Sequence, residues 1–319
     1  MKSLQVTAFG EPSVLSFIEV PVPEPNPGEA LIRIKGAGVN PIDAKTRRGI
    51  GFAAELIKND LPRVLGYEIS GVIEKISPNV SDFKKGDHVY GLIGLPERSS
   101  CYAEYTTVLP EEIWHKPKTL SHIEAAGVPL AALTAWQALY ETGNISKGDR
   151  VLIHAAAGGV GHFAVQFAKL SGAYVVGTAS ENNEQFLKEE LGIDEVIDYN
   201  SKMFEECTGD IDLVLDCVGG EIGKRSLKVL KKDGLIIPLP TISAQEVINE
   251  AEKYNIRAKG MIVKVNREHL KKIAYLIETG KVVVNIDSVY PLRDGAKAHE
   301  KLEKGHVRGK IVLSTDDNK

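Results

Sequence analysis

Two different periodicities divide the chain. Before Pro110, apolar positions alternate with polar ones or gather in short β-branched runs. The stretch "EALIRIKGAGVN" (Glu29 to Asn40) opens with strict alternation, and "GYEISGVIEKIS" (Gly66 to Ser77) and "GDHVYGLIG" (Gly86 to Gly94) are bounded by glycine. The proline-punctuated "VPVPEPNPGE" does not fit a central strand, because proline has no N–H for the ladder. Together these predict an irregular all-β module. At Ser121 the spacing becomes helical, in "SHIEAAGVPLAALTAWQALYE". Strands are then predicted over 151–155, 173–178, 195–198, 211–216 and 234–239. Helices over about 160–171, 182–191 and 221–231 separate them. Alternating β and α elements imply a parallel sheet with helices on both faces. From Arg267 a helix, "REHLKKIAYLIETG", precedes strand-like "SVYPL" and "GKIVLS". The tail is expected to return to the N-terminal β module.

The fold class is therefore α/β with a separate β module. With 319 residues, two domains are expected. The expected boundaries are 1–120 for the first part of the β domain, 121–266 for the doubly wound domain and 267–319 for the return segment. A formal net charge of -4 without a basic stripe argues against nucleic-acid partners. No apolar run reaches the length of a membrane span. The N-terminus has no apolar signal region, and the three cysteines, Cys101, Cys207 and Cys217, are not closely paired. These features suggest a reducing compartment, and a cytoplasmic location is the expectation.

The sharpest chemical signal is "VLIHAAAGGVGHFAVQFAK", Val151 to Lys169. A strand, a glycine-rich turn and a helix make the recurrent dinucleotide-phosphate site. The backbone must approach a pyrophosphate closely, and a Cβ would obstruct it. The helix that follows points its free N–H groups and dipole at the anion. The fingerprint departs from G-x-G-x-x-G, because Ala156 takes the first glycine position. Gly158 and Gly161 take the others, and Gly159 is added. Ala157, Gly158, Gly159, Val160 and Gly161 are the expected cofactor-binding loop. Val218 and Gly219 in "DCVGG" and Leu239 in "GLIIPLP" end strands on the ligand side and are expected to flank a nicotinamide.

"AAGGVG" resembles the phosphate loop of the medium-chain dehydrogenase/reductases, in the zinc-independent quinone oxidoreductase (zeta-crystallin-like) branch. The resemblance extends over the chain, through "GVNPIDAKTRRG" (Gly38 to Gly49), "VLGYEISGVIEKIS" (Val64 to Ser77), "CYAEY" (Cys101 to Tyr105), "LTAWQAL" (Leu133 to Leu139) and "GHVRGKIVL" (Gly305 to Leu313). It implies a GroES-like β domain and a Rossmann domain with the active site in the cleft between them. It also implies a homodimer formed through Rossmann sheet edges, and "KGMIVKV" (Lys259 to Val265) has the β-rich composition of such an edge.

The end of the second strand discriminates NAD from NADP, since a carboxylate there binds a ribose 2′-OH and repels a 2′-phosphate. Ala179 and Ser180 stand at that place. Ser180 offers a hydroxyl to a phosphate and also reads as a helix N-cap. By resemblance Tyr199 lies near the 2′-phosphate and Thr134 near the nicotinamide. Thr134 also reads as a helix hydroxyl bonded to the preceding turn. These point to NADPH. The family's usual cation after the serine is missing, so either NADPH affinity is weakened or Arg308 or another distant cation compensates.

Zinc relatives ligate their metal with Cys and His, whereas Asn40 and Tyr67 occupy the corresponding positions here, and neither is a good zinc ligand. No metal is expected. Acceptors that work without a Lewis acid are already activated: quinones and α,β-unsaturated carbonyls, whose oxygen needs a hydrogen-bond donor as charge develops. Asn40, Tyr67 and Asp43 are the catalytic candidates. The plainer readings are a turn residue before Pro41, a packed tyrosine and a helix-start cap. His154 and Cys217 read as core residues, and His162 stands where the phosphate-binding helix begins. The expected function is NADPH-dependent reduction of a small quinone or enone. The alternatives are a carbonyl or alcohol oxidoreductase on the same scaffold, or a non-catalytic NADPH-binding protein.

Overall fold

The computed structural model describes residues 1–316. They form two compact units. One comprises Met1–Leu133, Lys264–Gly280 and the chain from Val284 onward; the other comprises Thr134–Val263 and Lys281–Val283.

The first unit holds two sheets. Leu15–Glu19, Lys2–Val6 and Arg63–Val64 form an antiparallel three-stranded sheet in that order. The larger, seven-stranded sheet runs Ile286–Pro291, Lys310–Ser314, Ala30–Val39, Glu68–Ile76, His88–Leu92, Ile113–His115, with Tyr105–Val108 also on Ala30–Val39. The long strand Ala30–Val39 organises this sheet. Its first part, Ala30 to Arg33, pairs with Tyr105–Val108, and its last part, Gly36 to Val39, pairs with Lys310–Ser314. Its other edge pairs with Glu68–Ile76. Alternate inward positions, among them Ile32, Ile34, Ile69, Ile73, Val89, Ile311 and Leu313, fill one core. Burial of such side chains supplies about 1.5–3 kcal/mol each.

Register in this sheet has a chemical consequence. Ile311 faces Val39, so Lys310 falls beside Asn40; Ala37 faces Ile69, so Glu68 falls beside Gly38. Two charged residues at strand ends are thereby brought to the end of one central strand.

The second unit is built on a six-stranded parallel sheet. Its order is Glu195–Asp198, Tyr174–Ala179, Arg150–Ile153, Ile211–Asp216, Leu230–Pro238, Arg257–Ala258. The first strand in sequence lies at the centre and the order reverses beside it, which is the doubly wound arrangement. Leu152, Val176, Ile197, Val214 and Ile236 are buried in its core with Phe204 and Val247. Such near-continuous apolar strands suit a parallel sheet covered on both faces.

The expected helix over 182–191 is present as continuous helical backbone from Glu181 to Glu190, opening as a 3-10 turn, Glu181–Asn183, and closing as a π-type turn, Phe186–Glu190. One local expectation differs from the structure. The stretch Lys259 to Val265 forms no strand, and the sheet edge is instead Arg257–Ala258. Composition alone does not make a strand; a ladder needs a neighbour, and Leu230–Pro238 pairs only as far as Ala258.

Candidate active site

In the second unit every predicted cofactor residue after Thr134 follows the carboxyl end of a parallel strand. Ala157 to Gly161 follow Arg150–Ile153, Ser180 follows Tyr174–Ala179, and Tyr199 follows Glu195–Asp198. Val218 and Gly219 follow Ile211–Asp216, and Leu239 follows Leu230–Pro238. Parallel strands point the same way, so these residues share one edge of the sheet, where ligands of open α/β sheets bind.

The glycine turn is tight for identifiable reasons. Ala155 has φ +52°, a left-handed conformation that costs an alanine about 1–2 kcal/mol. The turn then closes with the Gly158 N–H donating to the Ala155 carbonyl at 2.9 Å. Gly158 caps the helix Gly159–Leu170, and Gly161 lies in its first turn. A Cβ at Gly161 would overlap the Ala155 carbonyl oxygen and the Ala156 backbone. Only a side-chain-free residue lets the helix start so close to the strand. The first-turn N–H groups lack intrahelical acceptors, so the cradle fits a diphosphate. His162 is buried, and its Nδ1 lies 3.0 Å from the Gly158 carbonyl. His154 lies in the core, its ring nitrogens 3.0 Å from Thr178 Oγ1 and 2.8 Å from Ser226 Oγ. Burial holds its pKa down to about 4.

Ser180 and Tyr199 are close along adjacent strands. The last register pair is Ala179 with Asp198, and the Tyr199 N–H donates to the Ala179 carbonyl at 3.2 Å. Ser180 Oγ accepts from Asn183 Nδ2 at 3.0 Å and caps no backbone N–H. The serine thus keeps its own O–H for another acceptor, and the Tyr199 side chain is exposed. Lys188, the first cation after Ser180, is engaged by Glu184 at 2.6 Å. Arg308 belongs to the other unit; its backbone N–H donates to Asp287 Oδ1 at 3.0 Å and its carbonyl accepts from Asn285 Nδ2 at 2.7 Å. Thr134 is buried in the helix Pro129–Trp136, where the second unit begins.

Asp216 was not singled out by the sequence, yet it shapes the Val218–Gly219 turn. Its Oδ1 accepts from the Val218 N–H at 2.9 Å and the Gly219 N–H at 2.7 Å. Gly219 adopts φ +81°, which favours glycine. The Leu239 N–H donates to the Asp216 carbonyl at 2.9 Å. An acid closing the apolar strand "IDLVLD" was the available signal, since a buried carboxylate requires donors.

The first unit gathers Asn40, Asp43 and Tyr67 differently. Asn40 precedes the helix Pro41–Arg47, and Asp43 Oδ2 accepts from its backbone N–H at 2.9 Å. Asp43 is fully buried, and burial raises its pKa to about 7 against the opposing hydrogen bonds of Asn40 and Tyr102. Tyr67 is buried, and its hydroxyl donates to the Pro96 carbonyl at 3.3 Å. Burial and then the Asp43 charge push the phenol well above its ordinary range, which disfavours it as a proton source at neutral pH. The Asn40 carboxamide is held on both sides. Its Nδ2 donates to Glu68 Oε1 at 2.7 Å, and its Oδ1 accepts from Lys310 Nζ. Lys310 was absent from the sequence-derived candidates because a lysine opening a strand reads as a solvated end. Among the described residues, no group of three or more His, Cys, Asp or Glu side chains is placed to hold a metal ion.

Comparison with known proteins fits these features. A model described as an alcohol dehydrogenase GroES-like domain matches residues 26–118, and one described as a zinc-binding dehydrogenase matches 191–313. The quinone oxidoreductase structure from Coxiella burnetii superposes with a TM-score of 0.95 at 42% identity, covering 99% of each chain. NAD(P)H oxidoreductase RTN4IP1, mitochondrial, from Danio rerio is 32% identical over 98% of this chain and 91% of its own length. The NADPH-dependent alkenal/one oxidoreductase, chloroplastic, of Arabidopsis thaliana is 33% identical over 98% of this chain and 79% of its own. The chain belongs to the medium-chain dehydrogenase/reductases, oxidoreductases that work with a nicotinamide cofactor, and within them to the quinone oxidoreductase branch. The expectation of a cytoplasmic protein is corrected by these relatives, whose names are mitochondrial and chloroplastic. The lack of an apolar signal region does not single out the cytoplasm, because organelle-targeting segments carry no apolar core.

Two outcomes follow from this geometry. Gly161→Ala should raise the dissociation constant for reduced dinucleotide at least about tenfold in a fluorescence titration, since the added methyl displaces the cradle backbone. Asp43 binds its proton more tightly folded than unfolded, so its contribution to stability is complete below about pH 4 and is lost as pH rises towards about 7. Asp43→Asn, which keeps the acceptor for Asn40, should flatten the fall in urea-unfolding stability across that window.

Proposed function

We propose that this protein uses NADPH to reduce small quinones or α,β-unsaturated ketones and aldehydes, without zinc. The observation that carries the reading is the glycine cradle at the central strand, where a Cβ at Gly161 would overlap the Ala155 and Ala156 backbone, so that only glycine lets the helix begin, with its free N–H groups, this close to the strand. The family supplies the rest: one relative is named a quinone oxidoreductase and another an NADPH-dependent alkenal/one oxidoreductase.

A bound reduced nicotinamide supplies the hydride. Ala157 to Gly161 hold the diphosphate through main-chain N–H groups and the helix dipole. Ser180 and Tyr199 receive the 2′-phosphate, with Arg308 as the proposed cation. Thr134, Val218, Gly219 and Leu239 position the nicotinamide, and the Asp216 carboxylate keeps the Val218–Gly219 turn in shape. Asn40 donates to the acceptor oxygen, where negative charge develops as the β-carbon is reduced. Solvent supplies the last proton, given the raised Tyr67 phenol. NADPH is favoured over NADH because Ala179 and Ser180 leave no carboxylate directly at the end of the second strand.

In steady-state assays with menadione, cyclohexenone and a simple saturated aldehyde, the first two should be consumed and the third should not, with NADPH giving the lower KM. Efficient turnover of the aldehyde, stoichiometric zinc in the active protein, or a clear preference for NADH would each refute the corresponding part. The chain is further proposed to form a homodimer through the sheet edge at Arg257–Ala258, near which Ile262 is half exposed. Light scattering at the mass of a single chain, 34.7 kDa, would remove that assignment.

A further inference from the structure

Lys310 is a charged side chain with almost no access to water, and nothing in the proposed chemistry uses it. Its side chain is 3% exposed and that of its partner Glu68 is 0% exposed. An ammonium has three N–H donors and no acceptor. Three oxygens meet those donors: Val39 O at 3.2 Å, Glu68 Oε1 at 2.9 Å and Asn40 Oδ1. Glu68 is equally committed. Its Oε1 takes both Lys310 and Asn40 Nδ2, and its Oε2 accepts from the Leu130 N–H at 2.7 Å. Gly38 is required beside it, because a Cβ there would overlap the carboxylate. The four segments that meet here come from distant parts of the chain, so the arrangement is built rather than incidental.

This arrangement fixes which end of the Asn40 carboxamide points where. The two ends of an amide have nearly equal shape, and only their partners distinguish them. The inverted orientation would set Oδ1 against the Glu68 carboxylate and Nδ2 against the Lys310 ammonium. Two repulsive contacts would replace two attractive ones. Oδ1 is therefore committed to the cation and one N–H to the anion. The second N–H of Nδ2 is the polar hydrogen the carboxamide has left to offer.

We propose that Lys310 is a positioning residue for the reaction: through its charge-assisted contacts with Asn40 and Glu68 it locks the Asn40 amide as a hydrogen-bond donor for the acceptor oxygen. The inference rests on the assignment of Asn40 above. It adds that the donor character of Asn40 is imposed by a buried ammonium, so that the cation of this site is carried by the chain itself.

The test is a double-mutant cycle with Asn40→Ala, Lys310→Met and both, assayed with NADPH and menadione or cyclohexenone. Lys310→Met should lower kcat by about tenfold or more, with the KM for NADPH little changed. In the Asn40→Ala background the same substitution should cost kcat nothing further. Equal losses in both backgrounds, or no loss in either, would overturn the proposal in favour of a purely structural pair. Glu68→Gln keeps the side-chain shape but leaves one carbonyl oxygen for the donors of Asn40, Lys310 and Leu130. It is read by the same cycle if Lys310→Met does not fold. A second readout needs no turnover. The Asn40 side-chain amide pair in a ¹⁵N correlation spectrum, identified by its loss in Asn40→Ala, should be protected from solvent exchange. In Lys310→Met or Glu68→Gln it should lose that protection. If the wild-type protein consumes neither acceptor, the functional reading fails, and the amide spectrum still decides whether the ammonium holds the carboxamide. Unchanged protection in both variants would overturn the positioning role.

Discussion

A carboxylate and an ammonium shut away from water impose a strict geometry on whatever surrounds them. Each charge buried in this way loses hydration worth several kcal/mol, and only close, well-directed partners offset it. Glu68 and Lys310 meet that demand with each other and with groups from two further places: Val39 and Asn40 at the end of the central strand, and the Leu130 amide at a helix start. Removing either charge leaves the other unpaired, which typically costs about 3–5 kcal/mol. The return strand Lys310–Ser314 is thus joined to the N-terminal module by ladder hydrogen bonds and by its first side chain.

The second unit solves a different problem with less chemistry. A parallel sheet delivers every strand's carboxyl end to one edge, so the residues that follow the strands gather there without special side chains. What has to be specialised is the backbone. Ala155 and Gly219 adopt left-handed conformations, at φ +52° and +81°, and Gly161 lets the helix backbone approach the Ala155 carbonyl more closely than a Cβ would allow. Asp216 holds one of these bends from beneath with two main-chain hydrogen bonds.

Asp43 bears on the proposed role of Asn40 by a weaker route. Its carboxylate secures the N–H of Asn40 and so the start of the helix Pro41–Arg47. The same burial that makes this contact firm raises its pKa to about 7. The carboxyl group that orients the Asn40 backbone therefore stands near its titration point at neutral pH.

The strand–turn–helix succession around Gly158 to Gly161, the alternation of later elements and the return of the tail to the β module were legible in the residues, because periodicity and glycine placement are local properties of the chain. So was the place of Asn40 before Pro41. The absence of a strand over Lys259 to Val265 was not, since it depends on neighbours supplied by the fold. Least legible was Lys310. A lysine at a strand end is ordinarily solvated, and only the antiparallel register that sets Ile311 opposite Val39 brings it to Asn40. Sequence by itself determined the kinds of element and the shape of the glycine turn, through steric limits acting within a few residues. Tertiary structure decided which charges are buried together and which way the Asn40 amide faces, because those depend on strand register between segments far apart along the chain.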